Sequence, residues 1–129
     1  MISSNISTIS TCKAPAAIGP YSQAKVYNGV AYISGQLPID PATGELCPGD
    51  IAQQTHMVMN NLAAIIEAAG SSMDKVLKAT ILLTDMGDFA QVNEVYASFF
   101  ADAPPARICY QVCALPKGAA VEIDAICAV

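Results

Sequence analysis

The only arginine of the chain, Arg107, lies at the start of an apolar, strand-like segment near the C-terminal end. A guanidinium is permanently charged, and its planar set of N–H donors matches a carboxylate or a phosphate with two parallel hydrogen bonds. An arginine among core-forming residues therefore needs an anionic partner. That partner is either one of the eleven acidic residues, in a structural ion pair, or the anionic group of a ligand.

The last two predicted strands place further reactive groups near Arg107. Side chains alternate across a strand, so Arg107 and Cys109 share one face. Glu122 lies between Val121 and Ile123 in the sequence and points away from their apolar side. A hairpin of the two strands would bring Glu122 near Arg107, and partial burial would raise the pKa of Glu122 toward that of a useful general acid or base. The alternative is that the two charges simply neutralise each other.

Neither the cysteines nor the single histidine adds a recognisable catalytic pattern. His56 has no spacing that ties it to Cys109, so no base is in place to activate that thiol, and we expect Cys109 to be a small residue of a pocket wall. The five cysteines show no CxxC spacing, and there is only one histidine. We therefore expect no zinc or other metal site.

The N-terminal half carries signals for a hairpin and a helix. The Asn28-Gly29 dipeptide suits a type I′ turn between two strands. Asp50 and Gln53 have the spacing of a capping box, and apolar residues recur at helical spacing from there to a stop at Gly70. The two predicted strands span residues 23–27 and 30–36.

The C-terminal half repeats the strand-then-helix signal and ends in two strands. An apolar run predicts a strand at 76–83, and Asp88 with Gln91 predicts a second capped helix that ends before Pro104. The predicted order of elements is ββαβαββ. No linker or low-complexity segment divides the chain, so we expect one α+β domain over residues 1–129. The final two strands are predicted at about 107–112 and 120–127.

The residue composition predicts an oligomer rather than a membrane or nucleic-acid-binding protein. Apolar residues make up 53% of the chain and charged residues 13%, yet no apolar stretch reaches the roughly 18 to 20 residues that cross a bilayer. We expect the surplus of apolar residues at subunit interfaces. The net charge is −5 and the six basic residues are scattered, whereas nucleic-acid affinity depends on positive charge that neutralises phosphates.

The cysteine content and the N-terminal residues favour an intracellular protein. Five cysteines are an odd set for disulfide pairing, and the first residues contain neither the basic nor the apolar region of a secretory signal. We expect reduced thiols and a cytoplasmic location.

Three segments of the chain carry a resemblance to a known family. They read APAAIGPYSQA, ISGQLPIDPATGE and PPARICYQVCALPKGAAVEIDAI. In this order and at these distances they resemble the RidA family of reactive intermediate deaminases, also known as YjgF-type proteins, from about Ala14 to the end of the chain. Ile108 and Cys113 depart from the family pattern. Ile108 falls on the strand face opposite Arg107, so its departure concerns packing more than chemistry.

The resemblance implies a fold, an assembly and an activity. The fold would be chorismate-mutase-like, with a mixed sheet and two helices packed on one face, assembled as a homotrimer with three clefts between subunits. The family hydrolyses enamines and imines, such as 2-aminoacrylate and 2-iminobutyrate, to 2-oxo acids and ammonia. This is the activity of a 2-iminobutanoate/2-iminopropanoate deaminase. An imine carbon is already electrophilic, so oriented water and a carboxylate suffice and no cofactor is expected.

The resemblance also implies roles for individual residues by position. Arg107 would bind the substrate carboxylate and Glu122 would position or activate water. Tyr21 would line the pocket from across the subunit interface. Further pocket positions of the family match Ser34, Gly35, Asn93 and Cys109.

Structural roles remain open for several of these residues. Tyr21 would then only cover a turn, Gly35 would mark a β-bulge, and Asn93 would be a solvated or bracing residue on a helix.

Two other functions also remain open. One is a trimer that binds small carboxylates without catalysis, which needs Arg107 but tolerates the loss of Glu122. The other is RNA cleavage or translation inhibition, activities attributed to some members of the family. The acidic net charge of −5 disfavours RNA as the main ligand.

Overall fold

Residues 5–129 are described here from a computed structural model. They form six strands and two α-helices, and all six strands belong to one mixed sheet with the order β1-β2-β3-β6-β4-β5. The helices are α1, Ile51–Ala68, and α2, Phe89–Ala97. The strands are β1, Ser7–Ile9; β2, Ala24–Tyr27; β3, Val30–Gln36; β4, Val76–Leu83; β5, Ala106–Gln111; and β6, Val121–Ala128.

The predicted N-terminal hairpin is confirmed. Tyr27 pairs with Val30 across the turn, and both turn residues have positive φ angles, 51° at Asn28 and 76° at Gly29. Such angles define a type I′ turn and explain the Asn-Gly pair. One strand, β1, was not predicted: it pairs antiparallel with β2, but its three residues are too few to show an alternating pattern.

The capping box of α1 is also confirmed. The Asp50 side chain accepts the backbone N–H of Gln53, and the Gln53 side chain accepts that of Asp50, both at 2.9 Å. The helix ends as predicted before Gly70, whose φ of 83° lies in the left-handed region that glycine tolerates best. Neither α1 nor any other helix within residues 5–129 has the length and apolar character that a membrane span requires.

The second predicted capping box is wrong. Asp88 has near-helical angles (φ −84°, ψ −6°), and its side chain makes no capping hydrogen bond. A 3₁₀ turn over Met86–Asp88 leads directly into α2, so the cap moves one turn earlier. The side chain of Asp85 accepts the N–H of Gly87 at 2.8 Å and caps this combined segment.

The neighbours of the last two strands differ from the prediction. β5 pairs parallel with β4, whereas β6 pairs antiparallel with the opposite edge of β4 and with β3. The expected hairpin of β5 and β6 is therefore absent, because β4 lies between them. The alternation of side chains along a strand gives the face on which each one lies, but it does not show which strands are neighbours. The crossover through α2 makes β5 parallel to β4.

The two faces of the sheet have different environments. Buried residues of β3, β4 and β6 face the helices, and α1 packs on β3, β6 and α2. On the other face, three large apolar side chains remain about half exposed: Tyr32 at 51%, Ile108 at 48% and Tyr110 at 50%. Apolar side chains this exposed on one sheet face are typical of a surface that contacts another protein. The buried core includes Ala79, Ile81, Leu83, Ile123 and Ala125 of the sheet and Val58, Leu62 and Ile65 of α1.

Candidate functional site

Four of the seven predicted site residues line one cavity of about 710 Å³ at the ends of β3 and β6. Most of the other lining residues are apolar, among them Leu37 and Ile39. Among residues 5–129, the charged residues of the lining are Glu122 and Lys117. The cavity thus combines one carboxyl group with mainly apolar walls, which is the usual character of a small-molecule site. The four predicted residues are Tyr21, Ser34, Gly35 and Glu122.

An irregularity in β3 places Gly35 against Glu122. Ile33 pairs with Ala125 and Gln36 with Ile123, so two residues of β3 face one residue of β6 in a β-bulge. A Cβ atom at Gly35 would lie 2.5 Å from the Oε2 atom of Glu122 and 2.9 Å from its Cδ atom. Gly35 therefore does mark a bulge, and its missing side chain also leaves the space that the Glu122 carboxyl group occupies.

The environment of Glu122 strengthens it as a base. Burial raises the pKa of Glu122 above the usual value for a glutamate, and the negative charge of Asp124 raises this pKa further. The direction agrees with the prediction from its apolar sequence neighbours. A carboxylate with a raised pKa holds a proton more tightly once it has accepted it, which suits proton transfer near neutral pH.

The segment that carries Tyr21 is anchored by a residue that the sequence alone did not single out. Gln23 is buried, and its side-chain amide accepts the N–H of Thr11 at 2.7 Å and donates to the carbonyls of Thr11 at 3.0 Å and Pro15 at 2.8 Å. Ser34 donates to the carbonyl of Ser22 at 2.6 Å. These bonds fix the backbone on both sides of Tyr21, whose side chain is 52% exposed beside the cavity.

The other three predicted residues, Arg107, Asn93 and Cys109, form a second group. Arg107 donates from Nη1 to the Oδ1 atom of Asn93 at 2.6 Å. Its guanidinium carbon lies 5.1 Å from the ring centre of Tyr96 and 5.5 Å from that of Phe89, within the range of cation–π contacts. Cys109 is half-buried, and this burial raises the pKa of its thiol although the charge of Arg107 opposes the shift. A thiol with a raised pKa is a poor nucleophile at neutral pH.

The structural ion pair considered for Arg107 is not formed. Within the described part of the chain, the hydrogen-bond partner of Arg107 is the neutral amide of Asn93, and no carboxylate forms an ion pair with it. The charge of Arg107 is therefore not neutralised by an acid of residues 5–129. The bidentate donor geometry of a guanidinium suits a carboxylate.

Within one chain, the two groups lie on opposite faces of the sheet. Arg107 pairs with Ala79, which in turn pairs with Ala125 of β6, and both alanines are buried against the helices. Glu122 pairs with Leu82 and so points to the face without helices. The expectation that a hairpin brings Glu122 beside Arg107 is therefore wrong. β4 lies between β5 and β6, and the two side chains point to opposite faces of the sheet.

Replacing Gly35 by alanine tests the close approach to Glu122. We expect the added methyl group to displace the flexible Glu122 side chain. If the chain has the imine hydrolase activity that the family resemblance implies, kcat should fall about tenfold or more while the melting temperature changes little. Gly87→Ala is the matched control, because Gly35 and Gly87 are the glycines of residues 5–129 without a positive φ angle. A Cβ atom at Gly87 would lie 3.0 Å from the Oδ1 atom of Asp85, away from the cavity lining. Steady-state kinetics and thermal unfolding measure both variants. Equal kcat values for Gly35→Ala and the parent chain would contradict this role.

Comparison with known proteins identifies the family of the chain. The family model described as endoribonuclease L-PSP matches residues 11–129. The 2-iminobutanoate/2-iminopropanoate deaminase of Bos taurus is 54% identical over 118 residues, which cover 92% of this chain and 86% of that protein. Residue identity is thus high over nearly the whole domain.

Solved structures show the same fold. YyfA from Yersinia pestis, a protein of unknown function of the conserved Rid family, has a TM-score of 0.95 and 48% identity, covering 97% of this chain and 100% of that one. E. coli TdcF with bound serine has a TM-score of 0.92 and 42% identity, covering 95% and 98%. The chain therefore belongs to the endoribonuclease L-PSP family, and its match to a Rid-family structure confirms the resemblance found in the sequence.

Proposed function

We propose that this protein is a 2-iminobutanoate/2-iminopropanoate deaminase that hydrolyses small 2-imino acids and their enamine tautomers to 2-oxo acids and ammonia. The observation that carries the proposal is the pair of half-sites on one sheet. Arg107 has a charge that no acid of residues 5–129 neutralises, and Glu122 has a raised pKa at the wall of a cavity. The first half-site suits a carboxylate, and the second suits the activation of water.

A complete site requires two copies of the chain. Arg107 and Glu122 point to opposite faces of the sheet, so one chain does not place both against one small substrate. Arg107 lies on the edge strand β5, and the exposed apolar residues of the helix-free face offer a surface for self-association. We propose the homotrimer of a chorismate-mutase-like fold, in which Arg107 of one copy reaches the Glu122 cavity of the next, with Tyr21, Ser34 and Gly35 around it.

The proposed reaction needs only positioning and one proton acceptor. Arg107 binds the substrate carboxylate and fixes the carbon of the C=N bond. Water attacks this carbon, and the carboxylate of Glu122 accepts the proton that the water loses. Because the imine nitrogen is protonated at the outset, this step gives a neutral amino alcohol. Glu122 returns its proton to the nitrogen, and the C–N bond breaks as the hydroxyl group gives its own proton to the Glu122 carboxylate. The C=O bond of the 2-oxo acid forms, and the departing ammonia takes the remaining proton from Glu122 and leaves as ammonium. Because the imine carbon is already electrophilic, no cofactor takes part in the proposed mechanism.

Two related proteins support the substrate class. The bovine relative is named for the deamination of 2-iminobutanoate and 2-iminopropanoate, and TdcF was solved with serine, whose carboxylate is the type of group that Arg107 suits. The five cysteines of this chain are free thiols, as fits a reducing compartment, and we propose a cytoplasmic location.

The activity is tested by coupling the purified protein to threonine dehydratase, which releases an imine precursor of 2-oxobutanoate. We expect faster release of the 2-oxo acid than in the dehydratase-only reaction, in a buffer with little free amine. Semicarbazide trapping of the remaining imine measures the same step independently. A release rate equal to the spontaneous rate over a wide range of protein concentrations would contradict the proposed function.

RNA cleavage is the second candidate function, because the matching family model is described as an endoribonuclease. The net charge of −5 and the scattered basic residues provide little attraction for a phosphate backbone. Nuclease activity that copurifies at a constant ratio and survives Arg107→Ala would favour this candidate. The remaining alternative is a protein that binds small carboxylates without catalysis. In that case the parent chain and Glu122→Ala would both bind 2-oxobutanoate, and neither would hydrolyse imines.

A further inference from the structure

We infer that Asn93 is a positioning residue that acts through Arg107, and that its lack of charge is what keeps Arg107 available for the substrate carboxylate. The inference rests on the proposed function and assigns Asn93 to a different contact from the one expected at first. In this chain the Oδ1 atom of Asn93 accepts a hydrogen bond from Arg107 at 2.6 Å. The Oδ1 atom of Asn93 thus binds the guanidinium of Arg107 and not a ligand.

The contact follows from the geometry of α2. Phe89, Asn93 and Tyr96 are spaced four and three residues apart, so they lie on one face of the helix. This face meets Arg107, with the amide as hydrogen-bond acceptor and the two rings at 5.5 and 5.1 Å from the guanidinium carbon. We call these three residues the neutral cradle. They restrict the guanidinium from several directions without an opposing charge.

The chemistry of the neutral cradle explains why none of its members carries a charge. A carboxylate at position 93 would satisfy the same N–H donor, but it would pair with Arg107 and compete with the substrate for the planar donor set. Tyr96 is 3% exposed, and its burial raises the pKa of its hydroxyl group, so the phenol remains protonated and neutral at physiological pH. The neutral cradle thus orients the Arg107 guanidinium without neutralising its charge.

The ranking of two substitutions tests the inference. Asn93→Asp preserves the size and shape of the side chain, whereas Asn93→Ala removes it. A residue that only maintains the fold would tolerate the aspartate better than the alanine. We expect the opposite order for ligand binding: Asn93→Ala weakens the affinity for 2-oxobutanoate about threefold through loss of one hydrogen bond, and Asn93→Asp weakens it roughly thirtyfold through the competing ion pair.

Calorimetric titration with 2-oxobutanoate gives these affinities, and steady-state kinetics gives a second readout. KM should rise in the same order while kcat changes much less, because the carboxylate anchor is affected and the water-activating group is not. Asn60→Asp is the matched control: it makes the same isosteric change on α1, where Asn60 is exposed and contacts His56, and it should leave KM unchanged.

The outcomes separate the inference from the proposed function. If the parent chain binds 2-oxobutanoate and hydrolyses imines but Asn93→Asp binds as well as Asn93→Ala or better, the inference is overturned and the proposed function stands. If the parent chain neither binds 2-oxobutanoate nor hydrolyses imines, the proposed function fails and the inference with it. Melting temperatures of both Asn93 variants should stay close to that of the parent chain. A large decrease of the melting temperature in Asn93→Asp alone would also overturn the inference.

Discussion

Replacing Arg107 by methionine is expected to lower kcat/KM for 2-iminobutanoate by about 100-fold or more. Methionine retains an unbranched apolar stem but loses every donor that the substrate carboxylate would use. Truncating one side of a charge-assisted, hydrogen-bonded pair costs about 2 to 5 kcal/mol, and each 1.4 kcal/mol corresponds to a factor of ten. Because substrate and transition state both carry the carboxylate, KM should rise strongly.

Arg107→Lys is the control that separates charge from geometry. Lysine retains the positive charge but loses the planar pair of donors, so we expect kcat/KM between those of the parent chain and Arg107→Met. Arg107 is exposed in the single chain and forms no ion pair with an acid of residues 5–129, so the fold itself should tolerate both changes. Parent-like kcat/KM for Arg107→Met in a correctly folded protein would exclude Arg107 from the site.

Replacing Glu122 by glutamine should lower kcat about 100- to 10,000-fold, the usual contribution of a positioned general base, with a smaller effect on KM. Glutamine preserves the shape of the side chain but does not accept the proton from water. Steady-state kinetics with the imine generated in the cuvette gives both constants. A kcat for Glu122→Gln within a factor of two of the parent value would show that another group accepts the proton.

The raised pKa of Glu122 adds a pH test to this prediction. A general base works in its deprotonated form, so activity should fall as the pH decreases through the pKa of Glu122, and this acidic limb should lie above the range of an ordinary glutamate. Asp124→Asn removes the negative charge that contributes to the shift, while its side-chain oxygen can still accept the Thr80 N–H, now 3.1 Å from the Asp124 carboxylate. The acidic limb should then move to lower pH. A shift to higher pH would contradict the assignment.

Local signals in the sequence predicted local structure correctly. The Asn28-Gly29 turn and the capping box at Asp50 depend on residues within a few positions of each other, and both are present. The cap of α2 was misplaced because Asp85 and Asp88 stand three residues apart and either can precede a helix. A 3₁₀ turn before the helix decides between them, and the sequence pattern does not reveal it.

The arrangement of the site depended on contacts that sequence patterns do not contain. Alternation correctly placed Arg107 and Cys109 on one face, and apolar neighbours correctly indicated the direction of the Glu122 pKa shift. The relation between Arg107 and Glu122 depends instead on the insertion of β4 between their strands. The contact of Asn93 with Arg107 likewise arises only when α2 packs beside β5.

In the proposed mechanism, neither half-site is sufficient alone. The carboxylate anchor lies on the edge strand, and the proton acceptor lies in a cavity on the other face of the sheet. Association of copies would therefore assemble the site and also bury the exposed apolar face. This would explain the high apolar content of the chain. Under this account, variants that weaken association reduce activity without altering any catalytic group.

Mixing two inactive variants tests this account most directly. Arg107→Met and Glu122→Gln are to be coexpressed with different tags, purified as mixed oligomers, and assayed for imine hydrolysis beside each variant separately. If each site takes Arg107 from one copy and Glu122 from the next, a cyclic trimer that contains both variants has both groups intact at one of its three interfaces. We therefore predict about one third of the parent activity from the mixed trimers. Activity no higher than that of the separate variants, in oligomers shown to contain both tags, would contradict a site shared between copies.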